Sequence, residues 1–121
     1  MRIVEFEQPG TDAEHVLAYV KSIHPGFGID DTILVHPYWR KTRVPLRKLH
    51  IPDPESGEDL DDPYNRVQMI DMYHVQDITK HDIERNPIVV DTDGHIIDGN
   101  HRALAARLSG LFDIPAYIPI K

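Results

Sequence analysis

Asp98-Gly99-Asn100-His101-Arg102 sets a carboxylate, a flexible backbone position, an amide, an imidazole and a guanidinium side by side. The apolar pair Ile96-Ile97 precedes them and Ala103-Leu104-Ala105-Ala106 follows. A strand is therefore expected to end at Asp98 and a helix to start around Asn100. The first N–H groups of such a helix have no intrahelical acceptor, and the helix dipole favours negative charge at that end. Arg102 offers a fork of donors able to hold two phosphate oxygens at once. Gly99 is expected to let a ligand approach the backbone. The chemistry expected is that of a phosphate cradle, with Gly99, Asn100, His101 and Arg102 as its binding residues. A blander reading of the same residues also stands: a cap at Asp98 or Asn100, a turn at Gly99, and solvated His101 and Arg102.

The elements that must position this turn can be read from spacing. The chain has 121 residues, 40% of them hydrophobic, with ten prolines and no visible internal repeat. That length supports one domain with a single core. Met1 to Glu7 reads as a strand. Thr11 to Glu14 fits a capping box, and Val16, Leu17, Val20 and Ile23 then mark one helical face until Pro25-Gly26. Strands are expected over Thr32–His36 and Arg43–Ile51, the second with Pro45 at its edge or start. An exposed loop follows from Pro52 to Asp62. A helix entered at Asp62-Pro63 would place Val67, Ile70 and His74 on one face, with Met69 and Tyr73 beside it. Pro87–Asp91, a turn at Thr92-Asp93-Gly94 and Ile96-Ile97 make a hairpin. The helix over Ala103–Ser109 ends at Gly110, and Ile114–Ile120 is the last strand. The class is mixed α+β.

Composition narrows the function classes. With no cysteine in the chain, disulfides, thiolate metal sites and a cysteine nucleophile are excluded. The net charge of -7 disfavours general nucleic-acid binding, which rests on phosphate contacts. Arg40, Lys41, Arg43, Arg47 and Lys48 nevertheless form a local basic run, a possible nucleic-acid edge, just before the acids Asp53, Glu55, Glu58, Asp59, Asp61 and Asp62. Tyr38-Trp39 beside this run suits base stacking or, more simply, packing. The eight histidines show no metal-binding spacing, and Asp91-Thr92-Asp93-Gly94 lacks the remaining ligands of a calcium loop. No metal site is expected from the spacing. No apolar run is long enough for a membrane span, and a cytoplasmic location is expected.

The turn also resembles that of the ParB/sulfiredoxin superfamily, which binds nucleotides through a glycine, a variable residue, a histidine or arginine, and an arginine at a helix N-terminus. The flanking Pro87-Ile88-Val89-Val90 and Ile114-Pro115-Ala116 fit the same pattern. Val44-Pro45-Leu46-Arg47-Lys48-Leu49 looks like its first strand, and Asp62-Pro63 with Arg66-Val67-Gln68 like the helix after it. The resemblance implies a core at 43–121 of ParB/sulfiredoxin type, with 1–42 as an N-terminal β-α-β extension of the same domain. It implies ATP or another nucleoside triphosphate with Mg²⁺, Arg66 as a further phosphate ligand, and Asp98 and His101 as catalytic groups. The acceptor would be a small molecule or a nucleic acid. Two departures limit what carries over. Asn100 stands where sulfiredoxins have their cysteine, so sulfinic-acid reduction is excluded. The chain reaches Lys121 with no helix-turn-helix after the last strand, so chromosome partition is not expected. The Asp-Gly-x-His-Arg form is closer to the branch that includes free-serine kinases. A ParB-like nuclease or DNA-binding module, and a non-catalytic inhibitor or adaptor, are the other readings of the same resemblance.

Overall fold

The direction in which β-strand side chains alternate decides the architecture. In Ile88-Val89-Val90 the first and third residues join one apolar cluster and the second joins another. Ile96 and Ile97 divide in the same way, as a period of two requires. The sheet that holds them is therefore covered on both faces. In the computed structural model, which describes residues 10–54 and 70–120, five strands build that sheet. They are β1 (Thr11–Asp12), β2 (Tyr38–Pro45), β3 (Ile88–Val90), β4 (Ile96–Asp98) and β5 (Asp113–Pro119). Their spatial order is β1-β2-β5-β3-β4, with β3 and β5 parallel and the other neighbours antiparallel. The chain is a mixed α+β fold.

Among the described residues, five helices supply the covering layers: α1 (Ala13–Ile23), α2 (Asp31–Leu34), α3 (Met72–Asp77), α4 (Lys80–Arg85) and α5 (Asn100–Leu108). Val16 and Val20 of α1 and Ile33 of α2 pack with Trp39, Phe27, Val89 and Ile97. Val75 of α3, Ile83 of α4 and Ala103, Leu104 and Ala106 of α5 pack with Ile88, Val90, Ile96 and Ile114. None of the described helices is long and apolar enough to cross a membrane.

Several elements differ from the sequence expectation, each for a local reason. Asp12, not Thr11, caps α1, its Oδ1 accepting from His15 N at 2.8 Å. Thr32–His36 is not a strand, because Asp31–Leu34 forms a helical turn wrapped around the Trp39 indole. Trp39 Nε1 donates to the carbonyls of His36 (2.8 Å) and Ile33 (3.3 Å). Trp39 is thus fully buried and cannot stack a base, while Tyr38 is exposed. The strand expected at Arg43–Ile51 instead runs over Tyr38–Pro45 and stops at Pro45. Leu46–Lys48 then forms a 3₁₀ turn, whose three-residue period buries Leu46 and Leu49 on the same side. Pro52 is buried rather than exposed. The Asp62-Pro63 helix start, with Arg66, Val67 and Met69, lies outside the described residues, as do most of the acidic loop and the Met1–Glu7 strand.

The helix bearing His74 starts at Met72. Asp71 caps it in extended conformation, accepting from Tyr73 N and His74 N, so Ile70 is not part of it. Helix α4 is an addition to the expected elements, although Thr79 and Asp82 cap one another reciprocally at its start, a pairing that has a sequence signature. The boundary at 42/43 falls inside β2, which pairs with β5 from Trp39 to Pro45.

Around the site the expected elements are present. The hairpin β3–β4 turns through Asp91, whose Oδ1 accepts from Asp93 N and His95 N, both at 2.9 Å. Gly110 takes a positive φ of 76° just past α5, as a helix-ending glycine does. Gly99 also has a positive φ, 107°. A Cβ there would overlap Ile88 Cγ2. The glycine is thus required by close packing against β3, rather than by room for a ligand. Gly99→Ala is expected to lose about 3 kcal/mol or more, combining left-handed strain with overpacking. Urea unfolding checks this, and a loss below about 0.5 kcal/mol would contradict it.

Candidate functional site

Strand β4 ends on Asp98, the buried charged residue of the described core at 7% exposure. A buried carboxylate must be paired, and two partners reach it. Arg102, one helical turn further on, brings Nη2 to 3.3 Å of Asp98 Oδ2. His24 brings Nδ1 to 3.1 Å of Oδ1. Arg102 Nη2 also reaches the Pro87 carbonyl at 3.4 Å, which accepts from the Tyr19 hydroxyl at 2.6 Å. Burial pushes the Tyr19 hydroxyl up to about 12, with Arg102 acting against it and Asp98 adding to it. It stays a donor throughout the physiological range.

Of these groups, His24, Asp98 and Arg102 line a cavity of about 670 Å³, a volume typical of small-ligand sites. Its apolar lining comes from Ile23 at the end of α1, Phe27 and Ile29 after it, Ile70 before α3, and Ile97 on β4. Its polar lining includes the start of α5, with Gly99, Asn100, His101 and Arg102. Gly99 occupies the cap position, and no side chain among the described residues caps the helix. The first N–H groups of α5 therefore keep their capacity for an anion. Among the described residues, Asn100 Oδ1 and Arg102 Nε are buried without a hydrogen-bond partner, which is an unfavourable state for a polar atom.

His101 is differently employed. Its Nε2 accepts from Asp71 N at 3.1 Å, which places its proton on Nδ1, and its ring meets His74 edge-on at 4.7 Å. It ties α5 to the cap of α3. Burial, then the neighbouring His74, holds its pKa below the ordinary 6.5, with Asp71 opposing and Arg102 and His24 adding.

The basic run does not form a continuous positive edge. Arg43 is clamped by Glu84 (2.7 and 3.0 Å) and by Asp113 (2.8 Å), and these bonds keep it protonated. Arg40, Lys41, Arg47 and Lys48 are exposed. Arg40 and Lys48 line a second, shallower cleft of about 480 Å³ together with Asp91 and Asp93. Asp91, Asp93 and His95 hold ligand-capable atoms within 4.8 Å of one another, a grouping that follows from the hairpin turn.

What the sequence missed is the first part of the chain. His24, Phe27 and Ile29 line the cavity, yet His24 lies 74 residues from its partner Asp98, and nothing local announces that pairing. The Mg²⁺ implied by the resemblance does not fit the lining residues. Asp98 is their single carboxylate, and its two oxygens are engaged by His24 and Arg102, whereas Mg²⁺ sites use one or two available carboxylates.

The His101 environment sets a pH dependence. Because its folded pKa is depressed, the unfolded chain takes up a proton at higher pH than the folded chain. The contribution of His101 to stability is full above about 6.5 and is lost as pH falls through the folded value. Urea midpoints measured between pH 7.5 and 5 should fall more steeply for wild type than for His101→Gln. Parallel pH profiles would contradict the assignment.

Comparison with known proteins adds no relative: no protein-family model matches the chain, and no curated protein or solved structure matches it significantly.

Proposed function

We propose that this chain binds ATP or another nucleoside triphosphate in the cavity at the start of α5 and transfers or hydrolyses its terminal phosphoryl group. The observation that carries the reading is the uncapped N-terminus of α5 opening on that cavity beside Arg102. Phosphates would meet the free N–H groups and the guanidinium, which together favour a dispersed negative charge. The apolar wall of Ile23, Phe27 and Ile97 offers a surface for a base. Phosphoryl transfer asks a protein mainly for positioning and charge stabilisation, and the donors here are of that kind. The likeness of Asp98–Arg102 to the ParB/sulfiredoxin turn supports the same reading, with a small hydroxyl compound or water as acceptor. Contact with nucleic acid through Arg40–Lys48 has less support, because Arg43 is already neutralised by two acids.

Arg102 pairs with a buried carboxylate, so its removal is not a surface change. Arg102→Ala is expected to destabilise the fold by about 3 kcal/mol, which makes Arg102→Lys the better probe. A lysine keeps the charge beside Asp98 but loses the forked geometry. In a thermal-shift series, wild type should gain about 2.7 kcal/mol with a triphosphate at 100 times its dissociation constant. Arg102→Lys should need at least tenfold more of the same nucleotide. No stabilisation of the wild type by any nucleoside triphosphate at millimolar concentration would remove the reading. Binding without phosphate release would leave a nucleotide-dependent adaptor.

A further inference from the structure

We infer that His24 is the general base of this site, with Asp98 as the residue that orients it; this rests on the nucleotide reading above. The two members of the pair are unequally placed. The Asp98 side chain is 8% exposed and that of His24 is 57% exposed, and both residues line the same cavity. The imidazole therefore connects a buried carboxylate to the space where a ligand would sit. A histidine present only to satisfy Asp98 would gain nothing from that exposure, and Arg102 already supplies the compensating charge.

The hydrogen bond also selects a tautomer. A carboxylate can only accept, so Nδ1 of His24 carries a proton, and in the neutral ring Nε2 then keeps the lone pair. An aspartate holding the imidazole in this state, and stabilising the imidazolium formed on proton uptake, is the arrangement that makes histidine an effective base. The ring is positioned from the chain side as well. His24 stands at the C-terminal cap of α1, its backbone N–H bonded to the Val20 carbonyl, and Phe27 packs against it edge-on at 6.4 Å. Among the described residues, the charged or titratable groups that line the cavity with it are Asp98 on β4, Arg102 and His101 on α5, and His74 on α3. His101 has its Nε2 engaged by Asp71, which leaves His24 as the better-placed base of the two.

The step is a displacement at phosphorus. The oxygen of water or of an alcohol forms a bond to the terminal phosphorus while its proton passes to Nε2 of His24. The bridging P–O bond breaks, and its electron pair leaves on the nucleoside diphosphate. The cationic imidazole then faces Asp98 until it returns the proton to solvent or product.

Three measurements on the intact chain test this. ¹⁵N NMR of the nucleotide-free protein should show His24 protonated at Nδ1, and Asp98→Asn should shift it toward the Nε2 tautomer. Calorimetry with a non-hydrolysable triphosphate analogue should give His24→Gln an affinity within about threefold of wild type. Single-turnover phosphate release by His24→Gln should fall by about a hundredfold or more and lose the rising limb of its pH profile. Unchanged turnover and pH profile in His24→Gln, with binding intact, would overturn the role of His24 and leave the nucleotide reading standing. An Nε2-protonated His24 in wild type would overturn orientation by Asp98. A wild type that binds the analogue yet releases no phosphate would overturn the base assignment and the phosphoryl-transfer half of the reading while leaving nucleotide binding, whereas no binding at all would remove both proposals.

Discussion

A carboxylate buried at the end of a strand governs this molecule. Asp98 must be compensated, because an unpaired charge in the interior costs several kcal/mol, and its compensation links three parts of the fold. Arg102 reaches back from α5, one turn beyond Gly99. His24 reaches across from the end of α1. The Pro87 carbonyl, just before β3, accepts from both Arg102 and Tyr19. The turn that makes room for this arrangement is tight enough to exclude any side chain at position 99, where Ile88 already occupies the space. The geometry of the cavity follows from these contacts.

The same constraint explains why the site has its particular chemistry. A helix that begins after Gly99 has no side-chain cap among the described residues, so its positive end is left for a ligand. Arg102 is partly committed to Asp98, but its Nε has no partner among those residues. The apolar lining comes largely from the end of α1 and the loop after it. Such a combination of a polar end and an apolar wall suits a ligand that is itself anionic at one end and flat and apolar at the other. The basic run on β2 obeys a different logic: Arg43 holds β2 and β5 to α4 through Glu84 and Asp113, so part of its charge serves the fold.

How much of this is legible in the sequence depends on the separation of the interacting residues. The hairpin, the turn at Asp98 and the helix closed by Gly110 can be read, because each is set by residues a few positions apart: Asp91 with His95, Gly99 with Ala103, Gly110 with Arg107. The segment Thr32–His36 reads as a strand but folds as a helical turn, because Trp39, outside the apolar run, decides its conformation. Pro45 reads as a possible strand start and is the strand's end, since the joint burial of Leu46 and Leu49 governs the residues after it. His24 is invisible as a site residue. It joins Asp98 only once α1 has packed on Val89 and Ile97, and no local pattern encodes that.

The central claim is that the start of α5 is a phosphate site. It is tested most directly by following backbone amide resonances while a nucleoside triphosphate is added. The largest shifts should fall on Asn100, His101 and Arg102, whose N–H groups open the helix, with smaller ones at Phe27 and Ile29 on the apolar wall. Shifts confined to Arg40–Lys48, or no shifts at millimolar nucleotide, would contradict it.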